Sequence, residues 1–268
     1  MDNKINDEMI RVTDITSAYG GPLRRKWVLK GASLTAARGE CVGIVGANGC
    51  GKSTLLSILA GTLKPESGEV IYYGYPAWSD RRAHVVRAQD KQNKYLTTAA
   101  GGGEQTGMGR VRCHKDIFRM MTGYVPQENP LIPELTVYDN LRLWYPDAKQ
   151  LKQELEQGFL SLLGIQNYVK EQVGKLSGGM KKRVSIGIAM AGTPPVLLLD
   201  EPSAAIDLVC KEDIRCYLQA YIRRKGTVVI TTHEESELAL CDKLYVMKGG
   251  KLTQIDRDLR GADLVKLF

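Results

Sequence analysis

No apolar run in this 268-residue sequence approaches the roughly 18 residues that a membrane-spanning helix needs. The opening Met1-Asp2-Asn3-Lys4-Ile5-Asn6-Asp7-Glu8 lacks the apolar segment of a secretory signal, so a cytoplasmic chain is expected. The six cysteines (Cys41, Cys50, Cys113, Cys210, Cys216 and Cys241) include no CxxC pair, which argues against a zinc knuckle and, at this length, against a disulfide scaffold. Reduced and mostly buried thiols are expected instead. No internal repeat is visible, and the length suits one large α/β domain or a core with a smaller lobe.

Basic residues are in excess, with a formal charge of +7, but the excess is local. Residues 81–119 hold nine Lys or Arg against three Asp or Glu. The same window contains Thr97-Thr98-Ala99-Ala100-Gly101-Gly102-Gly103-Glu104-Gln105-Thr106-Gly107, which has no apolar stripe and reads as a flexible linker. Residues 76–119 are therefore expected to form a basic, flexible insert.

What is present is chemically specific. Gly46-Ala47-Asn48-Gly49-Cys50-Gly51-Lys52-Ser53-Thr54 follows an apolar run, Cys41–Val45, that reads as a buried parallel strand. It precedes Thr54–Ala60, which reads as a helix ending at Gly61. Glycines at this spacing allow successive backbone N–H groups to turn inward, and a helix N-terminus adds unpaired donors and the positive end of its dipole. Such a loop cradles a polyphosphate, so nucleoside triphosphate binding is predicted. Lys52 is expected to reach the β- and γ-phosphates and the Ser53 hydroxyl to ligate Mg²⁺. Cys50 reads as a small filler within this loop, not as a nucleophile.

Further strands are expected at Ile10–Ile15, Val28–Leu34 and Glu69–Tyr73, forming an antiparallel layer beside the phosphate-binding strand. Thr122–Val125 reads as a short strand, Val137–Trp144 and Leu151–Leu163 as helices, and residues 128–190 as a mainly helical lobe. From Val196 onward, strands at Val196–Leu199, Thr227–Thr231 and Lys243–Met247 alternate with helices near Lys211–Arg224 and from Glu234. The strand Val196–Leu199 runs into Asp200-Glu201, and ligands gather at the carboxyl ends of parallel strands. Asp200 is therefore a candidate Mg²⁺ ligand opposite Ser53, and Glu201 a candidate base for an attacking water. Leu176-Ser177-Gly178-Gly179-Met180 opens a further helix with a hydroxyl and two glycines, a second anion-binding helix end.

Taken in order, these strings resemble the ATP-binding cassette (ABC) family of nucleotide-binding domains over about residues 9–256. Gly46–Thr54 is similar to Walker A, Gln127 to the Q-loop glutamine, and Leu176–Met180 to the signature LSGGQ with Met180 in place of Gln. Val196–Glu201 is similar to Walker B with its catalytic glutamate, Ser203-Ala204-Ala205-Ile206-Asp207 to the D-loop, with Ala205-Ile206 where Gly-Leu is usual, and His233 to the switch histidine. Tyr19 falls where the family places an aromatic that stacks on adenine.

The resemblance implies an α/β fold: a P-loop NTPase (RecA-like) core with a parallel sheet, an antiparallel β subdomain and a helical subdomain. The core would take 9–127 and 193–256, and the helical subdomain 128–192. It implies catalytic roles for Glu201, His233 and Gln127, Mg²⁺ on Ser53, Gln127 and Asp200, and ATP held by Tyr19, Gly46, Asn48, Gly49, Cys50, Gly51, Lys52, Ser53 and Thr54. Ser177, Gly178, Gly179 and Asp207 would act on nucleotide across a head-to-tail dimer. Partners follow: a second ATP-binding subunit, identical or different, and an integral membrane permease docked on the helical lobe and the loop after Gln127. About 35 residues follow His233, too few for the regulatory domain of many sugar importers, and the phrasing around Met180 and His233 looks more like export-type ATPases. The 76–119 insert is longer than the family norm and reads as a solvated loop first, then as a contact for anionic lipid or the permease, then for RNA. The rival reading is a soluble ABC ATPase acting on ribosomes or nucleic acid. A non-hydrolysing regulatory cassette is opposed by Glu201 and His233, and a GTPase by the missing Asp in Asn93-Lys94-Tyr95-Leu96.

Overall fold

The computed structural model describes residues 7–21, 24–73, 83–87, 97–100, 118, 120–204 and 206–268. Two sheets organise them. The first is wholly antiparallel, from β1 (Glu8–Tyr19), β2 (Lys26–Ala37), β4 (Ser67–Tyr73), β5 (Ala83–Arg87) and β6 (Thr97–Ala100), in the order β2-β1-β4-β5-β6. β1 and β2 run 12 residues each, beyond the apolar stretches that announce them, because polar ends such as Thr16–Ser17 and Lys26 still pair along the ladder.

β6 corrects the linker reading of Thr97–Ala100. These four residues pair with Ala83–Val86 of β5, a strand bond that needs backbone groups rather than an apolar stripe. The remainder of Thr97–Gly107, and most of the predicted insert 76–119, lies outside the described residues.

The second sheet has the order β11-β10-β3-β9-β8-β7, from β3 (Cys41–Val45), β7 (Thr122–Val125), β8 (Val196–Asp200), β9 (Thr227–Thr231), β10 (Lys243–Lys248) and β11 (Lys251–Ile255). All its pairings are parallel except β10 with β11. β3, β8 and β9 are buried at every residue, as expected of strands covered on both faces. Alternation divides their side chains: Ile44, Leu198 and Val229 join the core under the antiparallel sheet, whereas Leu197, Leu199, Val228 and Ile230 join the core under the helices. The carboxyl ends of β3, β8 and β9 share one edge, with Asp200 opposite Thr231 and Thr231 opposite Ile44.

α1 (Lys52–Leu59) buries Leu55, Leu56, Ile58 and Leu59 against the first core and stops before Gly61, whose φ of +70° a helix does not accommodate. Between β7 and β8 the chain is mainly helical: α2 (Val137–Arg142), α3 (Ala148–Gln157), α4 (Phe159–Leu162), two 3₁₀ turns and α5 (Gly178–Ala189). The expected helix Leu151–Leu163 is two helices, since Gly158 is extended (φ −97°, ψ −158°) and a Cβ there would sit 2.2 Å from the Glu154 carboxylate. α6 (Leu208–Arg223) starts three residues before its predicted onset because the Asp207 carboxylate caps it, accepting from the Cys210 amide at 2.9 Å. α7 (Glu235–Leu238) matches the short helix read after His233, while β11 and α8 (Gly261–Val265) were not foreseen. Cys41, Cys210 and Cys241 are buried, Cys50 is half-buried and Cys216 is exposed, all of them free thiols; Cys113 lies outside the described residues. Among the described residues no helix is long and apolar enough to cross a membrane.

Candidate functional site

The turn from β3 into α1 builds the centre of the site. Gly46 (φ +152°) has no room for a side chain, since a Cβ would lie 2.5 Å from the Met247 carbonyl oxygen, and Gly51 (φ +117°) caps α1 in the left-handed region. These conformations turn Ala47, Asn48 and Gly49 outward as an exposed rim. Lys52 opens α1 and folds its buried stem back over the loop, donating from Nζ to the carbonyl oxygens of Gly46 at 2.7 Å and Ala47 at 3.3 Å. Ser53 is exposed in the first turn, and Thr54 Oγ1 lies 3.2 Å from the hydroxyl of Tyr19 at the end of β1. The predicted loop residues and Tyr19 thus stand together at one helix N-terminus.

The acids arrive from β8. Glu201 Oε1 is 4.0 Å from Lys52 Nζ, and its Oε2 accepts from Gln127 Nε2 at 3.3 Å. Asp200 is buried one residue earlier, its Oδ1 accepting from the Thr231 hydroxyl at 2.6 Å. Glu201 takes a left-handed backbone (φ +47°), uncommon for a residue with a side chain, and its amide donates to the Thr231 carbonyl at 3.0 Å and hydroxyl at 3.1 Å. That turn aims the two adjacent carboxylates in different directions. His233 follows β9 by two residues, with Phe268 edge-on to its ring at 5.9 Å. His233 is exposed, but partial desolvation and the Lys52 ammonium lower its pKa below the usual value, and the Glu201 carboxylate opposes them.

Ser177, Gly178 and Gly179 stand apart from this cluster. Ser177 caps α5, its hydroxyl accepting from the Met180 amide at 3.3 Å. Gly179 packs against α6, where a Cβ would lie 2.4 Å from Cys210 Sγ. Among the described residues no hydrogen bond or ion pair joins Ser177–Gly179 or Asp207 to Gly46–Thr54. Asp207 is committed to capping α6, and the Cys210 amide lowers its pKa. Ala205 lies outside the described residues.

Two functional residues escaped the sequence reading. Lys182, buried on α5, donates to the carbonyl oxygens of Pro126 at 3.1 Å and Gln127 at 2.9 Å, while Ser185 donates to Asn129 Oδ1 at 3.0 Å. The helix that begins at Ser177 is therefore fastened to the segment carrying Gln127. Burial lowers the Lys182 pKa, and Asp200 and Glu201 counter it. Thr231 is the other, because one hydroxyl serves both acids. Lys182 lies in the run Lys181-Lys182-Arg183, which does not mark which cation turns inward, and nothing in the sequence pointed to Thr231.

Ser53, Gln127 and Asp200 offer oxygen donors and a single carboxylate. That sparse, hard set fits Mg²⁺, which keeps waters and shares its shell with substrate phosphates. Among the described residues no cluster of three or more His, Cys, Asp or Glu could hold a metal on its own.

Residues 29–204 match the sequence profile of the family described as ABC transporter. The chain belongs to the ABC transporter family. It is 32% identical over 246 residues to the Nod factor export ATP-binding protein I of Rhizobium meliloti (strain 1021), covering 90% of this chain and 62% of that protein. It is 31% identical over 252 residues to the spermidine/putrescine import ATP-binding protein PotA of Spiroplasma citri, covering 92% of this chain and 61% of the other. The chain spans about three fifths of the length of these relatives. Among solved structures, a dimeric ATP-binding cassette in a post-hydrolysis state with ADP and Pi matches with a TM-score of 0.71 and 27% identity, covering 94% of this chain and all of the other. The fold is thus that of the ABC cassettes, a P-loop core bearing an antiparallel β subdomain and helices, as the motifs implied.

Proposed function

We propose that this cassette binds and hydrolyses Mg-ATP to power transport through a separate integral membrane permease, in the export direction. The observation that carries the reading is the convergence of the Lys52 ammonium and the Gln127 amide on the Glu201 carboxylate, at 4.0 and 3.3 Å respectively, beside a glycine loop at a helix N-terminus. In this reading Lys52 and the loop amides hold the β- and γ-phosphates, and Tyr19 stacks on the adenine. Glu201 takes a proton from the attacking water, and His233 holds that water or the γ-phosphate. Mg²⁺, held by Ser53 and Asp200 with Gln127 nearby, supplies charge neutralisation when bound.

Ser177–Gly179 and Asp207, which among the described residues make no hydrogen bond or ion pair with the loop of their own chain, would complete the site of a second cassette. The exposed Leu208 and Val209 beside Asp207 suit that contact, and the dimeric state of the solved cassette is consistent with it. The segment 128–192 would be the docking subdomain: Leu143 and Trp144, at its surface, are 61% and 55% exposed. Export rests on the likeness to the Nod factor protein and on the local phrasing around Met180 and His233; the polyamine importer is a comparably similar relative, so direction needs its own test.

Two measurements test the proposal. Purified protein should bind Mg-ATP and release phosphate, and Lys52→Ala should abolish both; absence of any affinity for Mg-ATP ends the reading. Affinity purification from membranes should bring down an apolar integral membrane protein, and reconstitution with it should show ATP-driven efflux. Salt-sensitive recovery of ribosomes or DNA instead would favour the rival soluble role.

A further inference from the structure

We propose that Glu237 is a positioning residue: its buried carboxylate ties the turn that follows Glu201 to the loop that carries His233, making the two segments one mechanical piece. Glu237 lies on α7 and is 1% exposed, yet among the described residues no cation lies at bonding distance from it. Two hydroxyls meet it instead. Ser203 Oγ donates to Oε1 at 2.5 Å, and Thr232 Oγ1 donates to Oε2. Both hydroxyls are themselves buried. A carboxylate only accepts and each hydroxyl has a single proton, so both protons are committed to this acid.

Each tether leads to a catalytic segment. Ser203 is two residues past Glu201, in a turn closed by the Ala204 amide on the Glu201 carbonyl at 3.2 Å. Thr232 adjoins His233; its hydroxyl also accepts from the Glu234 amide at 2.9 Å, and its own amide reaches the Ile44 carbonyl of β3 at 3.4 Å. A second tie runs parallel, with Lys211 Nζ of α6 on Glu234 Oε1 at 2.7 Å. Thus the stretch from Ser203 to Lys211 is joined to the stretch from Thr232 to Glu237 at two separate points. Burial raises the Glu237 pKa, the two hydroxyls counter it, and Glu234 and Lys211 act in opposite senses at its rim. Displacing Ser203 or Lys211 must therefore drag the His233 loop with it.

Only the rate readout of the test rests on the ATPase reading. In the folded full-length chain, the ring ¹H–¹³C resonance of His233, assigned by its loss in His233→Ala, should shift and broaden in Glu237→Gln, where an amide offers one acceptor in place of two. Ser203→Ala, which removes a single tether, should move it in the same direction by less. Turnover of Mg-ATP should fall about tenfold in Glu237→Gln with KM unchanged, the pattern of a group placed for the transition state rather than for binding. An unmoved His233 resonance in both folded variants, or a loss carried by KM alone, overturns the proposal. If Glu237→Gln does not fold, Ser203→Ala and Thr232→Val decide on the same resonance. Absent turnover in the wild-type chain would count against the ATPase reading and leave the resonance test intact.

Discussion

Thr231→Val is the sharpest probe of how the acids are held. The substitution keeps shape and β-branching in a fully buried strand residue and removes only the hydroxyl. That hydroxyl donates to Asp200 Oδ1 at 2.6 Å and accepts from the Glu201 amide at 3.1 Å. The second bond is redundant, because the same amide also reaches the Thr231 carbonyl at 3.0 Å. The first is charge-assisted and buried, and bonds of that kind contribute about 1.5–3 kcal/mol. For chains of 150–250 residues each kcal/mol moves the melting temperature by about 2–4 °C, so a fall of about 3–12 °C is expected by calorimetry. Thr231→Ser keeps the hydroxyl and loses one methyl, at a cost of about 0.8 kcal/mol or somewhat more with the cavity, and should fall less. The reasoning fails if Thr231→Val melts within about 1 °C of the wild type, or if Thr231→Ser is the less stable of the pair.

Glu201→Gln removes the proposed base and one side of a largely buried ion pair 4.0 Å long, so a loss of about 1–3 kcal/mol is expected, which leaves the chain folded. Turnover should nonetheless fall by about 10² to 10⁴ with Mg-ATP still bound, and unchanged ATPase activity would remove Glu201 from the chemistry. Gly179→Ala forces a Cβ to within 2.4 Å of Cys210 Sγ and 2.9 Å of its Cβ, so a loss of about 1–3 kcal/mol is expected in urea titration; an unchanged midpoint would show that α5 and α6 separate freely. His233 has a lowered pKa, caused by partial desolvation and Lys52, so below pH 6.5 the unfolded chain binds its proton more readily than the folded one. Its contribution is intact above that pH and is lost as the pH falls towards the folded value. The stability difference between wild type and His233→Asn should be flat above pH 6.5 and shift against the wild type below it, and a pH-independent difference would contradict the assignment.

What was legible in the sequence is what lies within a few residues of itself. The phosphate loop needs only a buried strand, glycines at set spacing, and a helix, all between Cys41 and Leu59, and each part took the expected place. Asp200 and Glu201 were readable because an apolar strand that stops at two carboxylates has one natural location, the ligand edge of a parallel sheet. The convergence of Gln127 on Glu201 joins residues 74 apart, and the family resemblance rather than local chemistry singled out Gln127. Lys182 looked like one more cation in Lys181-Lys182-Arg183, since a sequence does not show which of three neighbours turns inward to two carbonyls. β6 was missed because Thr-Thr-Ala-Ala lacks an apolar face, and only the neighbouring β5 makes it a strand.

The least legible feature, the left-handed turn at Glu201, explains why a threonine ends β9. A non-glycine residue at φ +47° costs on the order of 1–3 kcal/mol and persists only where its surroundings over-determine it. Here the surroundings are the carbonyl and hydroxyl of Thr231, both accepting from the Glu201 amide, and the bond from the Ala204 amide that closes the turn behind it. A valine would serve the buried strand equally well, yet it would leave Asp200 Oδ1 without its donor and the strained turn with one acceptor fewer. The same hydroxyl therefore satisfies a buried charge and helps offset the strain that turns its neighbour toward Lys52, so strand stability and the placing of both acids rest on one oxygen atom.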